Sequence, residues 1–396
     1  MKILWIKADF LHPTTKGGHI RTLEILRRLH QRHEVHYVGL TASGQEEGPR
    51  RSGEYSTFSH AIVHEPPRKD SAAFVAQLAA GLFSHVPVAI SRYRSEAMAR
   101  KIEELRASQR FDQVVCDFLT PAINIGDLSG CVLFQHNVET AIWRRHAEHA
   151  PDPFRKFYFG IQARRMFDYE RKSCLAARHV IAVSRADAEL MKEWFGAQRV
   201  SVVPTGVDIE YFRRPLSSDA VADLIFVGSM DWLPNVDGIQ YFVREILPLI
   251  RRKRPGCTVA VVGRSPLKQI VELSEKDSGI RVTGTVPDIR PYLWGSAVSI
   301  VPLRIGGGTR LKIYESMAAG TPVVSTSVGA EGLDVSSPGN IRLADSPEAF
   351  AENCLALLDD AAERARTSEE AWEHVNARFS WDRVVECFEK VLESAS

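Results

Sequence analysis

Short apolar runs alternate along the chain with longer stretches in which apolar residues recur every three or four positions. Such runs read as strands buried on both faces, and the three-to-four repeat reads as amphipathic helix. Alternation of the two implies parallel sheets joined by crossover helices. In the first half the pattern predicts strands at Ile3–Ala8, Val35–Leu40, Gln113–Cys116, Val132–Gln135, Val180–Val183 and Ser201–Val203. Between them, Gly18–Gln31 reads as a helix whose Ile20, Leu23, Leu26 and Leu29 share one face. Pro153–Ala177 reads as a long helix on which cations and aromatics alternate.

The pattern restarts after a polar, proline-containing stretch, FRRPLSSDA, within Ile209–Ala222. Strands are predicted at Leu224–Val227, Thr258–Val262, Arg281–Thr283, Val298–Val301 and Val323–Ser325, with helices at Val236–Ile250, Ile289–Trp294 and Arg310–Ala319. The expected fold is α/β, with two Rossmann-like doubly wound domains, 1–208 and 209–379. By its pattern alone, a last helix within 380–396 can close either domain. Strand C-termini and helix N-termini converge at the switch point of each sheet. If those edges face each other, the cleft between the domains is the binding site.

Charge changes the picture of the first domain. Residues 1–200 carry 29 Lys/Arg against 22 Asp/Glu, and the remainder 21 against 27. Twelve of the thirteen histidines precede residue 200. Chance scatter explains this asymmetry as well as an anionic partner does, such as a membrane surface or an acidic glycan. No basic run or motif marks a nucleic-acid binder. The six cysteines are dispersed and lie in apolar patterns, as in QVVCDF, so they read as buried hydrophobes in a reducing cytoplasm. MKILWIKADF leads directly into a strand rather than a signal peptide, and no apolar run is long enough to span a bilayer. The expected location is cytoplasmic, with peripheral contact at the inner face of the membrane as an alternative.

The segment AVSIVPLRIGGGTRLKIYESMAAGTPVVST concentrates candidate chemistry. A buried strand is followed by Gly306, Gly307 and Gly308, and a helix begins near Thr309. Glycines let a ligand approach the backbone and leave amide groups uncovered. A helix start adds free N–H donors and the positive end of the dipole, which together suit a diphosphate. Arg310 and Lys312 can add charge-assisted contacts. Glu315, about one and a half turns on, can accept two hydrogen bonds from a ribose diol.

This segment resembles the donor-binding signature of retaining GT-B glycosyltransferases, the large family-4 group, in a sub-branch with the GGGTRLK form. TKGGHIRTLEILRRL, VVPTGVDIEYF, DLIFVGSMDWLPNVDGIQYF and FSWDRVVECFEKVL are similar to further parts of that family, so the resemblance covers essentially the whole chain. It implies transfer of a hexose-type sugar from a nucleotide diphosphate sugar to a glycan, lipid-linked or small-molecule acceptor. It further implies retention of anomeric configuration, no cofactor and no metal. Two departures stand out. The family's Glu-x7-Glu pair is reduced to Glu315, with Gly307 at the first position. The loop after Gly228 and Ser229 reads SMDWLPN and lacks the usual cations, leaving Arg310, Lys312 and Arg264 to neutralise the diphosphate.

The resemblance implies further site residues. Gly17 and Gly18 bring backbone to the site, and His136, just past a strand, lies beside the donor sugar. Val286 and Asp288, in GTVPDIR, belong to a loop whose backbone edge reads the nucleobase. Asn235 replaces a positioning contact. Ser184 reads equally as a helix cap. Acceptor selection is expected in Thr41–Pro67 and Phe83–Arg94. Two alternatives stay open: a nucleotide-sugar epimerase of the same fold, and a non-catalytic nucleotide-sugar-binding protein.

Overall fold

A computed structural model describes residues 1–14, 17–65, 84–148, 150, 152–305 and 311–395. Two compact units are present: Met1–Pro204 with Val384–Ser396, and Thr205–Arg383.

The first unit is built on a parallel sheet of β1 (Lys2–Ile6), β2 (Glu34–Thr41), β3 (Phe58–Val63), β4 (Gln113–Asp117), β5 (Cys131–Phe134), β6 (His179–Ala182) and β7 (Val200–Val202). Among the described residues its order is β3-β2-β1-β4-β5-β6-β7. Chain direction across the sheet reverses between β1 and β4, whose register pairs Ile6 with Cys116. Lys7, just past β1, and Asp117, the last residue of β4, therefore stand side by side. The middle strands are apolar because both of their faces are covered.

The second unit repeats this plan with β8 (Ala222–Val227), β9 (Val259–Val262), β10 (Ile280–Val282), β11 (Ser296–Val301), β12 (Val323–Ser325) and β13 (Arg342–Leu343). The order is β10-β9-β8-β11-β12-β13, again parallel throughout. Both sheets are thus Rossmann-like, as the alternating pattern predicts.

Three elements differ from the sequence expectation. β3 lies inside the stretch read as an acceptor loop. It is an edge strand whose residues are exposed or half-buried, so it lacks the apolar run of its neighbours. The helix expected over Val236–Ile250 is interrupted: Leu233–Tyr241 is α-helical, Phe242–Ile246 is a π turn, and Leu247–Lys253 resumes the helix. Pro248 accounts for the change, because its ring and missing N–H do not fit an unbroken α-helical ladder. β13, two residues long, is too short to register as a periodic run.

The last helix, Trp381–Ser394, contributes to both units. Its Trp381 ring covers Gly206, where a Cβ would come within 2.5 Å of the indole. Farther along, Phe388 packs tilted against Trp5 and edge-on to Phe134, at centroid distances of 5.6 and 5.2 Å.

β8 and β9 end on glycines for a steric reason. Register pairs Val227 with Val262, so Gly228 and Gly263 leave the sheet together. A Cβ on Gly263 would stand 1.7 Å from the Gly228 carbonyl oxygen. Both partners are backbone, so neither can give way. Gly263→Ala is expected to cost about 3 kcal/mol, read as a lower urea midpoint with an unchanged m-value.

Candidate functional site

In the second unit, polar groups gather where β8 and β11 end. Gly228 lets two side chains close over the strand end, for a Cβ there would lie 2.6 Å from Asn235 Nδ2 and 2.9 Å from Lys312 Nζ. Asn235 is buried on the helix Leu233–Tyr241. Its Nδ2 donates to the Ser229 carbonyl at 2.9 Å, which fixes the amide so that Oδ1 accepts from Lys312 Nζ at 2.7 Å. The ammonium also sits 4.7 Å from the centroid of the Phe226 ring, a cation–π contact. Arg264 Nε donates to Ser229 Oγ at 2.8 Å, and that hydroxyl donates to Asp231 at 2.6 Å. Two cations, Lys312 and Arg264, are thereby tied to the loop that begins at Gly228.

Glu315 follows Lys312 by one helical turn on the helix Leu311–Ala318. Burial pushes its pKa up to about 7, and the nearby Lys312 charge offsets this only in part. No hydrogen-bond donor to this carboxylate is present among the described residues. A half-buried carboxylate without donors is an acceptor available to a ligand's hydroxyls. Asp288 is the opposite case. Its two oxygens bind Arg290 at 2.7 and 3.0 Å and accept from the Arg290 backbone N–H, and Arg290 in turn lies 3.9 Å from the Tyr211 ring. The Asp288 side chain is therefore a loop clamp. Val286 packs against the core.

In the first unit the matching position is a buried polar cluster centred on Asp117, which is fully inaccessible. Lys7 Nζ and His136 Nε2 donate to Oδ1 at 2.9 and 2.7 Å; Trp5 Nε1 and Thr22 Oγ1 donate to Oδ2 at 2.8 and 2.7 Å. Burial alone would raise the Asp117 pKa. The Lys7 charge and the hydrogen bonds from His136 and Thr22 outweigh it and hold the carboxyl ionised. Burial brings His136 down to about 4, with Lys7 and Arg21 adding to the fall against the pull of Asp117. The imidazole is thus neutral, its Nε2–H is committed to Asp117, and Nδ1 is left as an acceptor. Nδ1 faces the start of the helix Gly17–Leu29, where a Cβ on Gly18 would come within 3.2 Å of it. Phe118, directly after Asp117, holds φ at +79°, a strained backbone of the kind that clusters at functional sites. Its ring packs edge-on to His136 at 5.5 Å.

The structure thus brings Gly228, Ser229, Asn235, Arg264, Lys312 and Glu315 together at one strand edge, and Gly17, Gly18 and His136 at another. Gly306, Gly307, Gly308, Thr309 and Arg310 lie outside the described residues. Ser184 caps the helix Arg185–Phe195, accepting from the Asp187 N–H at 3.0 Å. Asp117, Lys7, Thr22 and Phe226 were not singled out from the sequence. The only sequence signal was position: Lys7 follows and Asp117 ends a central strand. Glu170 was missed as well. It accepts from the Glu139 and Thr140 amides at 3.0 and 2.8 Å, so it caps the helix after His136 from a distant segment.

Among the described residues, no group of three or more His, Cys, Asp or Glu side chains is arranged to hold a metal ion.

The raised pKa of Glu315 has a signed consequence. A carboxyl whose folded pKa exceeds its unfolded value costs stability above the unfolded pKa, and the cost is complete above the folded one. Glu315→Gln is therefore expected to stabilise the protein by up to about 3 kcal/mol at pH 8 and by almost nothing at pH 4. Urea titrations at the two pH values measure this difference.

Comparison with known proteins places this geometry in a family. The model described as "Glycosyltransferase Family 4" matches residues 15–211, and that described as "Glycosyl transferases group 1" matches 222–360. An uncharacterized 44.6 kDa protein in the cps region of Klebsiella pneumoniae is 21% identical over 366 residues, 89% of this chain and 90% of that protein. A D-inositol 3-phosphate glycosyltransferase of Xylanimonas cellulosilytica is 28% identical over 251 residues, 57% of this chain and 59% of that protein. Among solved structures, Anabaena Alr3699/HepE in complex with UDP and glucose is similar with a TM-score of 0.66 at 15% identity, covering 100% of both chains. Sucrose-phosphate synthase from Thermosynechococcus elongatus gives 0.67 at 16%, also over 100% of both. The structural likenesses concern the fold. The two family matches adjoin and take in most of the chain, one on each Rossmann-like unit. The protein accordingly belongs to the group 1, family 4 glycosyltransferases of GT-B fold and is an enzyme of sugar transfer.

Proposed function

We propose that the enzyme moves a hexose-type sugar from a nucleotide diphosphate sugar to a glycan, lipid-linked or small-molecule hydroxyl, with retention and without a metal. The observation that carries this reading is the pairing on one short helix of an anchored ammonium, Lys312, with a carboxylate, Glu315, that has no hydrogen-bond donor among the described residues. Lys312, with Arg264 and the sequence-predicted Arg310, meets the diphosphate. Glu315 accepts from the ribose diol. His136 Nδ1 accepts a hydroxyl of the donor sugar.

In the proposed step the bond between the anomeric carbon and the diphosphate oxygen breaks as the acceptor oxygen bonds to that carbon on the same face. The acceptor's proton passes to the departing phosphate oxygen. Charge builds on that leaving group, so fixed cations aimed at it contribute most of the rate. Gly306, Gly307, Gly308 and Thr309 are proposed to add backbone N–H donors.

A thermal-shift panel of UDP, GDP and their hexose conjugates identifies the donor, because a ligand of the folded state raises its stability in proportion to how tightly it binds. With that donor, Lys312→Ala is expected to lower nucleoside diphosphate release about 10²–10³-fold while the far-UV spectrum stays unchanged. Turnover near the parent rate overturns the assignment. Donor isomerised without acceptor would instead favour an epimerase.

We also propose peripheral contact with an anionic membrane. No helix among the described residues is long and apolar enough to cross one. The helix Pro153–Ala176, however, exposes Phe154 by 80% and Phe157 by 70%, with Arg155 and Lys156 between them. Apolar tips interleaved with cations suit the headgroup region of a bilayer. Phe154→Ser with Phe157→Ser is expected to reduce co-sedimentation with phosphatidylglycerol vesicles several-fold while leaving the melting temperature unchanged.

A further inference from the structure

The second unit has another concavity, at the opposite edge of its sheet from Gly228 and Lys312. A groove of about 950 Å³ is lined by residues that precede or begin β8, β9 and β11, by the start of the helix Ala361–Phe379, and by Gly320. β8 runs from Ala222 in the groove to Val227 at the donor edge. At about 3.3 Å per residue the two sites are therefore roughly 17 Å apart.

The groove is rich in unused donors. Arg214 and Arg364 both line it, and neither is ion-paired among the described residues. Arg364 Nη1 donates to the Leu357 and Leu358 carbonyls at 2.7 and 3.2 Å, leaving Nε and Nη2. Arg214 Nη2 donates to the Trp294 carbonyl, leaving Nε and Nη1. The two guanidiniums are close enough that the charge of Arg364, after burial, lowers the pKa of Arg214. Like charges facing one groove are unfavourable until an anion joins them.

The acceptors in the groove are fewer. Asp223 is committed to Arg254 and Thr258 at 3.0 and 2.9 Å. Glu369 is exposed and the remaining carboxylate. Trp372 stands half-buried on the wall, and its indole N–H has no partner among the described residues. Two planar guanidinium forks match the oxygens of a phosphate, and an indole offers an apolar face and one further donor to the body that carries it. The volume is far larger than a bare phosphate requires.

We infer that this groove binds a phosphorylated saccharide, with its phosphate held between Arg214 and Arg364 and its ring against Trp372. The site is separate from the donor grip and does not depend on which nucleotide sugar the enzyme uses. It touches the donor site through one element. Gly320, whose carbonyl accepts from Ser368 Oγ at 2.7 Å in the groove, ends the same helical segment that carries Lys312 and Glu315.

The test is calorimetric titration of the full chain with glucose 6-phosphate, inorganic phosphate and glucose at low ionic strength. Glucose 6-phosphate is expected to bind more tightly than inorganic phosphate, and glucose to show no binding. Arg214→Ala is expected to weaken glucose 6-phosphate at least tenfold, while the donor nucleotide keeps its affinity within twofold. Arg364→Lys keeps the charge but loses the fork, without leaving a hole at Leu357 and Leu358, and is expected to weaken binding several-fold. Three results overturn the inference: no binding of glucose 6-phosphate up to about 10 mM, binding unchanged in Arg214→Ala, or inorganic phosphate binding as tightly as the sugar phosphate. Failure of the donor reading leaves all three readouts intact, since none uses sugar transfer.

Discussion

In a parallel sheet covered on both faces, the backbone groups of the central strands are hydrogen-bonded to their neighbours, and apolar side chains fill the space above and below. Polar chemistry can emerge only where the strands stop. Both units obey this constraint, and it decides where their unusual residues stand. Lys7 and Asp117 stand side by side at the end of the first sheet because β1 and β4 are in register at Ile6 and Cys116. Gly228 and Gly263 leave the second because β8 and β9 are in register at Val227 and Val262. Everything else at the two edges is built on those exits.

The two edges use buried charge in opposite ways. Asp117 accepts from four donors and stays ionised despite complete burial, so its role is to hold Trp5, Lys7, Thr22 and His136 in place. Glu315 has no hydrogen-bond donor among the described residues, and burial keeps its proton on to near neutrality. A carboxylate saturated by the protein fixes geometry, whereas one left unsatisfied carries a cost that a ligand's hydroxyls can remove. His136 stands between these cases, with one nitrogen committed and the other free to accept.

The helix Leu311–Ala318 is central to the second unit for the same reason. Its first described turn carries Lys312, locked by Asn235 and Phe226. Its end at Gly320 adopts φ of +68°, which closes the helix in the left-handed conformation that glycine tolerates. One short element thus joins the strand ends at Gly228 to the opposite edge of the sheet.

Sequence periodicity was enough for the two parallel sheets, because strands buried on both faces and amphipathic crossover helices each leave a distinct repeat. The glycine-led helix marked Lys312 and Glu315 as candidates, whereas Gly228 and His136 were marked through the resemblance to the family. Periodicity did not reach β3, whose edge position removes the apolar run, or the π turn at Phe242–Ile246, which depends on how one proline is accommodated. Nor did it reach the partners. Asp117 with Lys7, Asn235 with Lys312, Glu170 with Thr140, and Arg214 beside Arg364 are each separated by tens to over a hundred residues. Local spacing determines which elements form and where they end. Register and packing alone decide which distant side chains meet, and hence which charges are neutralised and which are left for a ligand.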